Sequence, residues 1–467
     1  MIDFFGFTLE DANRVFAEIL KKGQFAELYF QYTESISVVF EDDIIKSASR
    51  IQEGGVGVRV IEGETTGYSY CETFDIESII KAGRFASAIA SQKRIFPLPV
   101  NYTEVKGKNL YQTEVILDSF DLKKRIDILK SLTSFAYSYS DLIKKANARC
   151  SDYVSKVFIV NSKGEYGFDV RPFVSLSIST IAEKNGQREF GRDGFAKKGG
   201  FEFISDNLLK NLAKEASRKA ILNLDAKPAP AGVMPVILTA GESGVLIHES
   251  VGHPLEADFI RKKSSAYTGR VGEMVASSLC TIVDDGTIPN NTGSINFDDE
   301  LVETQKTVLI ENGVLRAFMT DRLNADLLSI PYSGNGRRES YKSNPIPRMR
   351  VTYMDKGKDN PEDILKSVKK GVMCCSFAGG QVDISSGDFV FVPSESYYVE
   401  NGKVQYPVKN LTLIGNGPDV LTKVDMVGHD LKFSSGNWVC GKGQSVPVGI
   451  GMPTIRISEI TVGGMQV

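Results

Sequence analysis

The residues best able to do chemistry together lie in one short segment, His248-Glu249-Ser250-Val251-Gly252-His253. Two of the chain's three histidines are there, five positions apart, with a carboxylate directly after the first. Imidazole is the commonest metal ligand, and a glutamate beside a ligating histidine is placed to activate a metal-bound water. Given this composition, the pattern would arise by accident roughly once in a thousand. The spacing departs from the usual His-Glu-x-x-His. Histidines at i and i+4 lie about 40° apart around an α-helix, whereas i and i+5 lie about 140° apart, so an undistorted helix would splay them. A π-bulge absorbs one extra residue and returns the second histidine to the face of the first. Gly252 would ease that bulge through its backbone freedom, and Pro254 disfavours α-geometry at His253. The bland alternative is a pair of polar residues facing a cleft, with Glu249 a solvated surface acid.

A catalytic metal takes three protein ligands and keeps one position open. Candidates for the third ligand are Glu256, Asp258, Cys280, His429 and Cys440. Glu256 and Asp258 could equally orient a histidine from behind. Cys440 sits in the glycine-rich turn Val439-Cys440-Gly441-Lys442-Gly443-Gln444, where Lys442 would favour the thiolate. A lone cysteine is more often a small buried hydrophobe. The residues alone leave Cys440 and His429 open; a mixed His/Cys set would select zinc over the hard cations.

These residues need elements to position them. Thr8 to Gly23 reads as a helix with Thr8 as N-cap and Gly23 as stop. Residues 28–30, 36–40 and 56–60 read as short strands separated by polar turns. Helical spacing returns over 76–89 and 121–138, strands over 156–180 with a turn at Lys163-Gly164, and an amphipathic helix over 205–224. The Pro/Ala/Gly-rich stretch 225–232 is the best linker and sets the main boundary, giving domains 1–225 and 226–467, with room for a subdomain break near 95–120. The second half opens with a buried strand over 235–240 and a helix from Glu242 that carries the histidines. Asn312-Gly313 and Asn401-Gly402 mark two hairpins and favour an antiparallel sheet. The fold class expected is α+β: a mixed α/β N-terminal half and a strand-rich antiparallel C-terminal half.

Composition narrows the function. A chain of 467 residues exceeds one core, and 42% hydrophobic with 24% charged residues is that of an ordinary globular protein. A net charge of −3 without a basic stripe argues against direct nucleic-acid contact. No window approaches the roughly 18 apolar residues of a membrane span, the first residues do not resemble a signal peptide, and six scattered cysteines do not form a disulfide framework. A cytoplasmic location is expected.

The segment His248-Glu249-Ser250-Val251-Gly252-His253-Pro254-Leu255-Glu256-Ala257-Asp258 resembles the signature of the TldD/PmbA metalloproteases, on the TldD side. The resemblance continues through 265–272, 283–287, Gly334-Asn335-Gly336-Arg337-Arg338-Glu339-Ser340-Tyr341, 379–384 and 439–444, dense over the second half and looser before it. It implies a zinc peptidase with His248, His253 and Cys440 as ligands and Glu249 as general base, leaving His429 peripheral. It implies a dimer as well, either a homodimer or a pair with a PmbA-like chain. Substrate handling is expected from Gly379, Gly380 and Gln381 as a strand edge for an extended peptide, from Arg337 and Arg338 as a clamp on a carboxylate or oxyanion, and from Tyr267 as an oxyanion donor. The competing readings are a regulatory binding protein of the gyrase-modulator type and another metal-dependent hydrolase on the same scaffold.

Overall fold

The computed structural model describes residues 2–20, 23–89, 99, 101–111, 121–436 and 438–464. The first half runs α1 (Leu9–Ile19), β1 (Phe25–Glu41), β2 (Ile44–Glu62), β3 (Thr65–Cys71), α2 (Ile76–Ser87), β4 (Thr103–Glu104), α3 (Leu122–Tyr137), β5 (Ile143–Asn161), β6 (Glu165–Lys184), β7 (Gln187–Lys197) and α4 (Asp206–Leu224). Apart from the two-residue β4, this is one pattern used twice: a helix, a three-stranded meander and a second helix. The antiparallel pairing of β1 with β5 fuses both units into a single sheet ordered β3-β2-β1-β5-β6, with β7 and β4 on the outer edge of β6. Most of the stretch 95–120 lies outside the described residues.

Local chemistry explains the helix starts. Thr8 and Asp11 form a reciprocal capping box on α1, which ends at Ile19, before Gly23. Ser205 caps α4 through Leu208 N–H. The strands are far longer than the sequence suggested: the expected segments 28–30 and 36–40 are parts of one 17-residue strand. Alternation then decides the faces. Leu28, Phe30, Val38 and Phe40 point to the side covered by α1 and α2 at one end and α3 and α4 at the other. Tyr29, Val157 and Ile159 point the opposite way and pack on Phe297, Leu301 and Tyr341 of the second half.

In the second half, strands Lys370–Val382, Gly232–Leu238, Ile455–Gly463, Thr412–Asn416 and Asp388–Glu400 pair in that order, and the first and last also pair, closing the sheet on itself. A second sheet holds Ile282–Asp285, Val351–Met354 and Ser445–Met452, with Trp438–Gly441 hydrogen-bonded to the last. Both Asn-Gly turns are hairpins with left-handed backbone at each residue: φ is 47° and 83° at Asn312-Gly313, and 50° and 71° at Asn401-Gly402. The pairing is not wholly antiparallel. Gly232–Leu238 lies parallel to Lys370–Val382, and Val351–Met354 parallel to Ser445–Met452. The stretch read as a linker contributes Lys227–Pro228, a short strand parallel to Val408 and Lys409. The helical segment with the histidines leaves the end of Gly232–Leu238 and is wedged between the two sheets.

Candidate metal centre

After Gly232–Leu238 the chain makes one 3₁₀ turn (Glu242–Gly244), a short α segment (Val245–Ile247), a π turn (His248–Gly252) and another 3₁₀ turn (His253–Leu255). The π turn is the predicted distortion, and its signature is direct: His253 N–H donates to the His248 carbonyl, five residues back. The two reasons offered for it need correction. Gly252 has an ordinary φ of −55°, so backbone freedom is not what it supplies. A methyl there would sit 1.9 Å from the Met349 sulfur, so any larger residue would force the Met349 side chain, which packs on the turn, to move. His253 adopts α-geometry despite Pro254, which sits inside the following 3₁₀ turn. Two further contacts brace the segment. Ser250 Oγ donates to the Leu246 carbonyl at 2.6 Å, and Tyr267 Oη donates to the Ser250 carbonyl at 3.1 Å.

The bulge brings His248 and His253 to a ring separation of 5.1 Å, near perpendicular. Trp438–Gly441 delivers the third group. One potential ligand atom from each of His248, His253 and Cys440 lies within 4.8 Å of the others, and all three residues are buried. Cys440 Sγ is 3.1 Å from His253 Nε2. On the far side of that ring, Nδ1 is 3.2 Å from Glu256 Oε2, so Glu256 orients the histidine. Glu256 is fully buried and is itself matched by Lys442 at 3.0 Å, with Arg348 at 3.8 Å. Arg348 also ties down the Cys440 carbonyl and the Gln444 carbonyl, each at 2.7 Å.

The electrostatics follow. Burial alone would raise the Cys440 thiol, but the charge and hydrogen bond of His248, with those of His253, outweigh it and bring the thiol to about 4. Burial pushes His253 down, while Glu256 and Cys440 together lift it to about 10. Burial raises Glu256, yet Lys442, His253 and Arg348 hold it at about 2. Lys442, read from the sequence as the group activating Cys440, is engaged with Glu256 and with Asp258 at 2.6 Å; the histidines do that work instead. His248 Nδ1 is buried without a hydrogen-bond partner. An orphaned imidazole nitrogen, a second imidazole and a thiolate converging in one spot suit a borderline-soft divalent metal, so the residues fit the zinc expected from the sequence.

The other third-ligand candidates fall away. Cys280 lies in the hydrophobic core, where burial pushes its thiol up to about 12. His429 is exposed and outside the cluster, and Asp258 is paired with Lys442. Glu249 is half-buried, and no described residue hydrogen-bonds or pairs with its carboxylate.

Three family models describe the chain in order: PmbA/TldA metallopeptidase domain 1 over 26–90, the central domain over 116–224 and the C-terminal domain over 231–464. The chain belongs to the PmbA/TldD metallopeptidase family. Among curated relatives, a metalloprotease TldD homologue of Haemophilus influenzae is 45% identical over 94% of this chain and 93% of its own. A metalloprotease of Methanocaldococcus jannaschii is 34% identical over 94% and 97%. A zinc metalloprotease TldD homologue of Saccharolobus solfataricus is 28% identical over 94% and 96%. Among solved structures, TldE from Thermococcus kodakarensis superposes with a TM-score of 0.77 at 19% identity, over 98% of this chain and 100% of that one.

For this PmbA/TldD chain the remaining candidates sort by geometry. Tyr267 is fully buried and its hydroxyl is committed to the π turn, which makes it a brace and removes it as an oxyanion donor. Arg338 is buried against Glu27 at 2.5 Å, so it clamps no substrate carboxylate. Arg337 is buried too, and donates to the Met349 and Pro447 carbonyls. Gly379, Gly380 and Gln381 pair with Val392, Phe391 and Val390. On their other side, Gly232–Leu238 reaches only Val372–Cys374, so among the described residues this edge has no strand partner. A bulge lies beside them, between Phe377 and Gly379, and a methyl at Gly380 would meet the Phe391 ring at 2.1 Å. The sequence reading missed Arg348 altogether: an arginine among strand residues carries no local signal that it will hold a distant cysteine turn.

Proposed function

We propose that this protein is a zinc-dependent peptidase of small or unfolded peptides, with Glu249 as general base. The observation that carries the reading is the convergence of His248, His253 and Cys440 ligand atoms within 4.8 Å, next to a glutamate whose carboxylate has no partner among the described residues. Zinc, when bound, supplies Lewis acidity: it polarises a carbonyl and lowers the pKa of water. His248, His253 and Cys440 would hold it, and Glu256 keeps His253 Nδ1 engaged so that Nε2 faces inward. A Glu249 carboxylate oxygen takes the proton from the attacking water and returns it to the leaving amine nitrogen. The free edge at Gly379–Gln381 is suited to an extended backbone, which favours peptides over folded proteins.

Metal content and cleavage of an unstructured peptide test this in three proteins. Glu249→Gln should keep its metal and lose activity by about 100-fold or more, and Cys440→Ala should lose both. Unchanged cleavage by Glu249→Gln would sink the mechanism; full metal and no cleavage of any peptide by the wild type would favour another hydrolase. We further propose a cytoplasmic protein acting as a homodimer or as the motif-bearing half of a pair with a PmbA-like chain. Light scattering on the purified chain checks the first assembly, and a strictly monomeric mass would exclude it.

A further inference from the structure

A cavity of about 440 Å³ lies between β1 and β5 of the first half and the Ser445–Pro447 stretch of the second. Two of its lining residues are buried basic side chains that, among the described residues, form no close ion pair with a carboxylate. Lys198 is 4% exposed, and among the described residues its ammonium makes no hydrogen bond or ion pair; it lies 4.9 Å from the centre of the Tyr111 ring. Arg337, 5% exposed, hydrogen-bonds among the described residues only to two backbone carbonyls. The nearby carboxylates are already engaged. Asp169 accepts from Tyr111, Arg171 and Asn296, and Asp299 accepts from Arg171 and the Arg338 N–H. Burying a cation without a counter-ion is costly. Burial, with Arg171 and Arg337, holds Lys198 well below its ordinary range against the opposing pull of Asp169 and Asp299, and burial lowers Arg337 to about 10 although Asp299 opposes it. The cavity shares a strand pair with the metal centre: its lining residue Val446 is the cross-strand partner of Cys440.

We propose that this cavity is a carboxylate subsite in which Lys198 and Arg337 receive an anionic group of the peptide. The peptide part of this statement rests on the peptidase reading. Either a C-terminal carboxylate or an acidic side chain has the required chemistry. A bland structural role, with Lys198 merely packed on Tyr111, predicts no such preference.

The test is fluorescence anisotropy with the full-length Glu249→Gln protein, which should bind without cleaving, and three labelled unstructured peptides. One has neutral side chains and a free C-terminus, one is its C-terminal amide, and one is that amide with a single internal glutamate. The free acid, the glutamate amide or both should bind about tenfold tighter than the neutral amide, and whichever does so names the source. In the Lys198→Met, Glu249→Gln double variant the preference should vanish while neutral-amide binding stays unchanged. Equal affinity for all three peptides overturns the proposal, as does a preference that survives Lys198→Met. Should the Lys198→Met protein not fold, the ammonium is structural and the proposal fails. Peptidase failure reads out separately, as wild-type cleavage that Glu249→Gln does not abolish.

Discussion

Glu256 is the residue on which the metal centre turns. It touches neither peptide nor metal in the proposed reaction, yet it fixes which imidazole nitrogen of His253 faces Cys440. A fully buried carboxylate would normally take up a proton, and Lys442 with Arg348 prevents that. Replacing it with glutamine keeps the shape and removes the charge. Glu256→Gln should therefore weaken zinc affinity by about 10- to 100-fold, measured by competition with a chelator; unaltered affinity would reduce Glu256 to a packing group. The sequence showed Glu256 as either ligand or orienting group, because residues three apart near a turn can do both. Only the direction of the His253 ring separates the two roles, and that depends on Lys442 arriving from a hairpin over 180 residues away.

At the scale of the element, the π turn was legible and its cause was not. Counting residues between His248 and His253 demands an i+5 hydrogen bond if both are to serve one site, and the demand is met. The reason for Gly252 is tertiary: the Met349 side chain occupies the space a Cβ would fill. This distinction can be measured. Gly252→Ala should cost about 1–3 kcal/mol and weaken metal binding, since the backbone tolerates alanine but the packing does not. Adding Met349→Ala should recover much of both losses; a double variant no better than the single one would return the argument to backbone freedom. The same limit explains the strands. In β1, Thr33-Glu34-Ser35 reads as a polar turn, yet it is mid-strand, paired with β2 on one side and β5 on the other. Half-buried polar stretches are indistinguishable from turns until the partner strands are known. Helices, capped by Thr8 and Ser205 within the segment itself, needed no such knowledge.

For the molecule as a whole, the junction of the two halves decides how the site holds together. It is built from apolar packing around Tyr29, Val157, Ile159, Phe297 and Tyr341, and from ion pairs that cross it: Glu27 with Arg338, Arg59 with Glu300, Arg171 with Asp299, Glu165 with Arg322, and Arg218 with Glu395. Such pairs set register more than they add stability, because desolvation offsets much of their attraction. The Arg218–Glu395 pair is the most open to solvent on its cationic side, where the Arg218 side chain is 29% exposed. Both Glu395 oxygens accept from the Arg218 guanidinium, at 2.9 and 2.7 Å, joining α4 to the strand Asp388–Glu400. Burial would raise the Glu395 pKa, but those bonds, one from Tyr397 and the Arg218 charge hold it below its usual 4.5. A depressed carboxylate stabilises the fold fully above its unfolded pKa and loses that contribution as pH falls through the folded one. The wild type should therefore lose more stability than Glu395→Gln between about pH 6 and about pH 3, the difference appearing only below about pH 4.5. Thermal melts of the two proteins across that range measure it. Parallel pH profiles would mean that Arg218 and Glu395 are solvated neighbours that contribute nothing to holding the halves together.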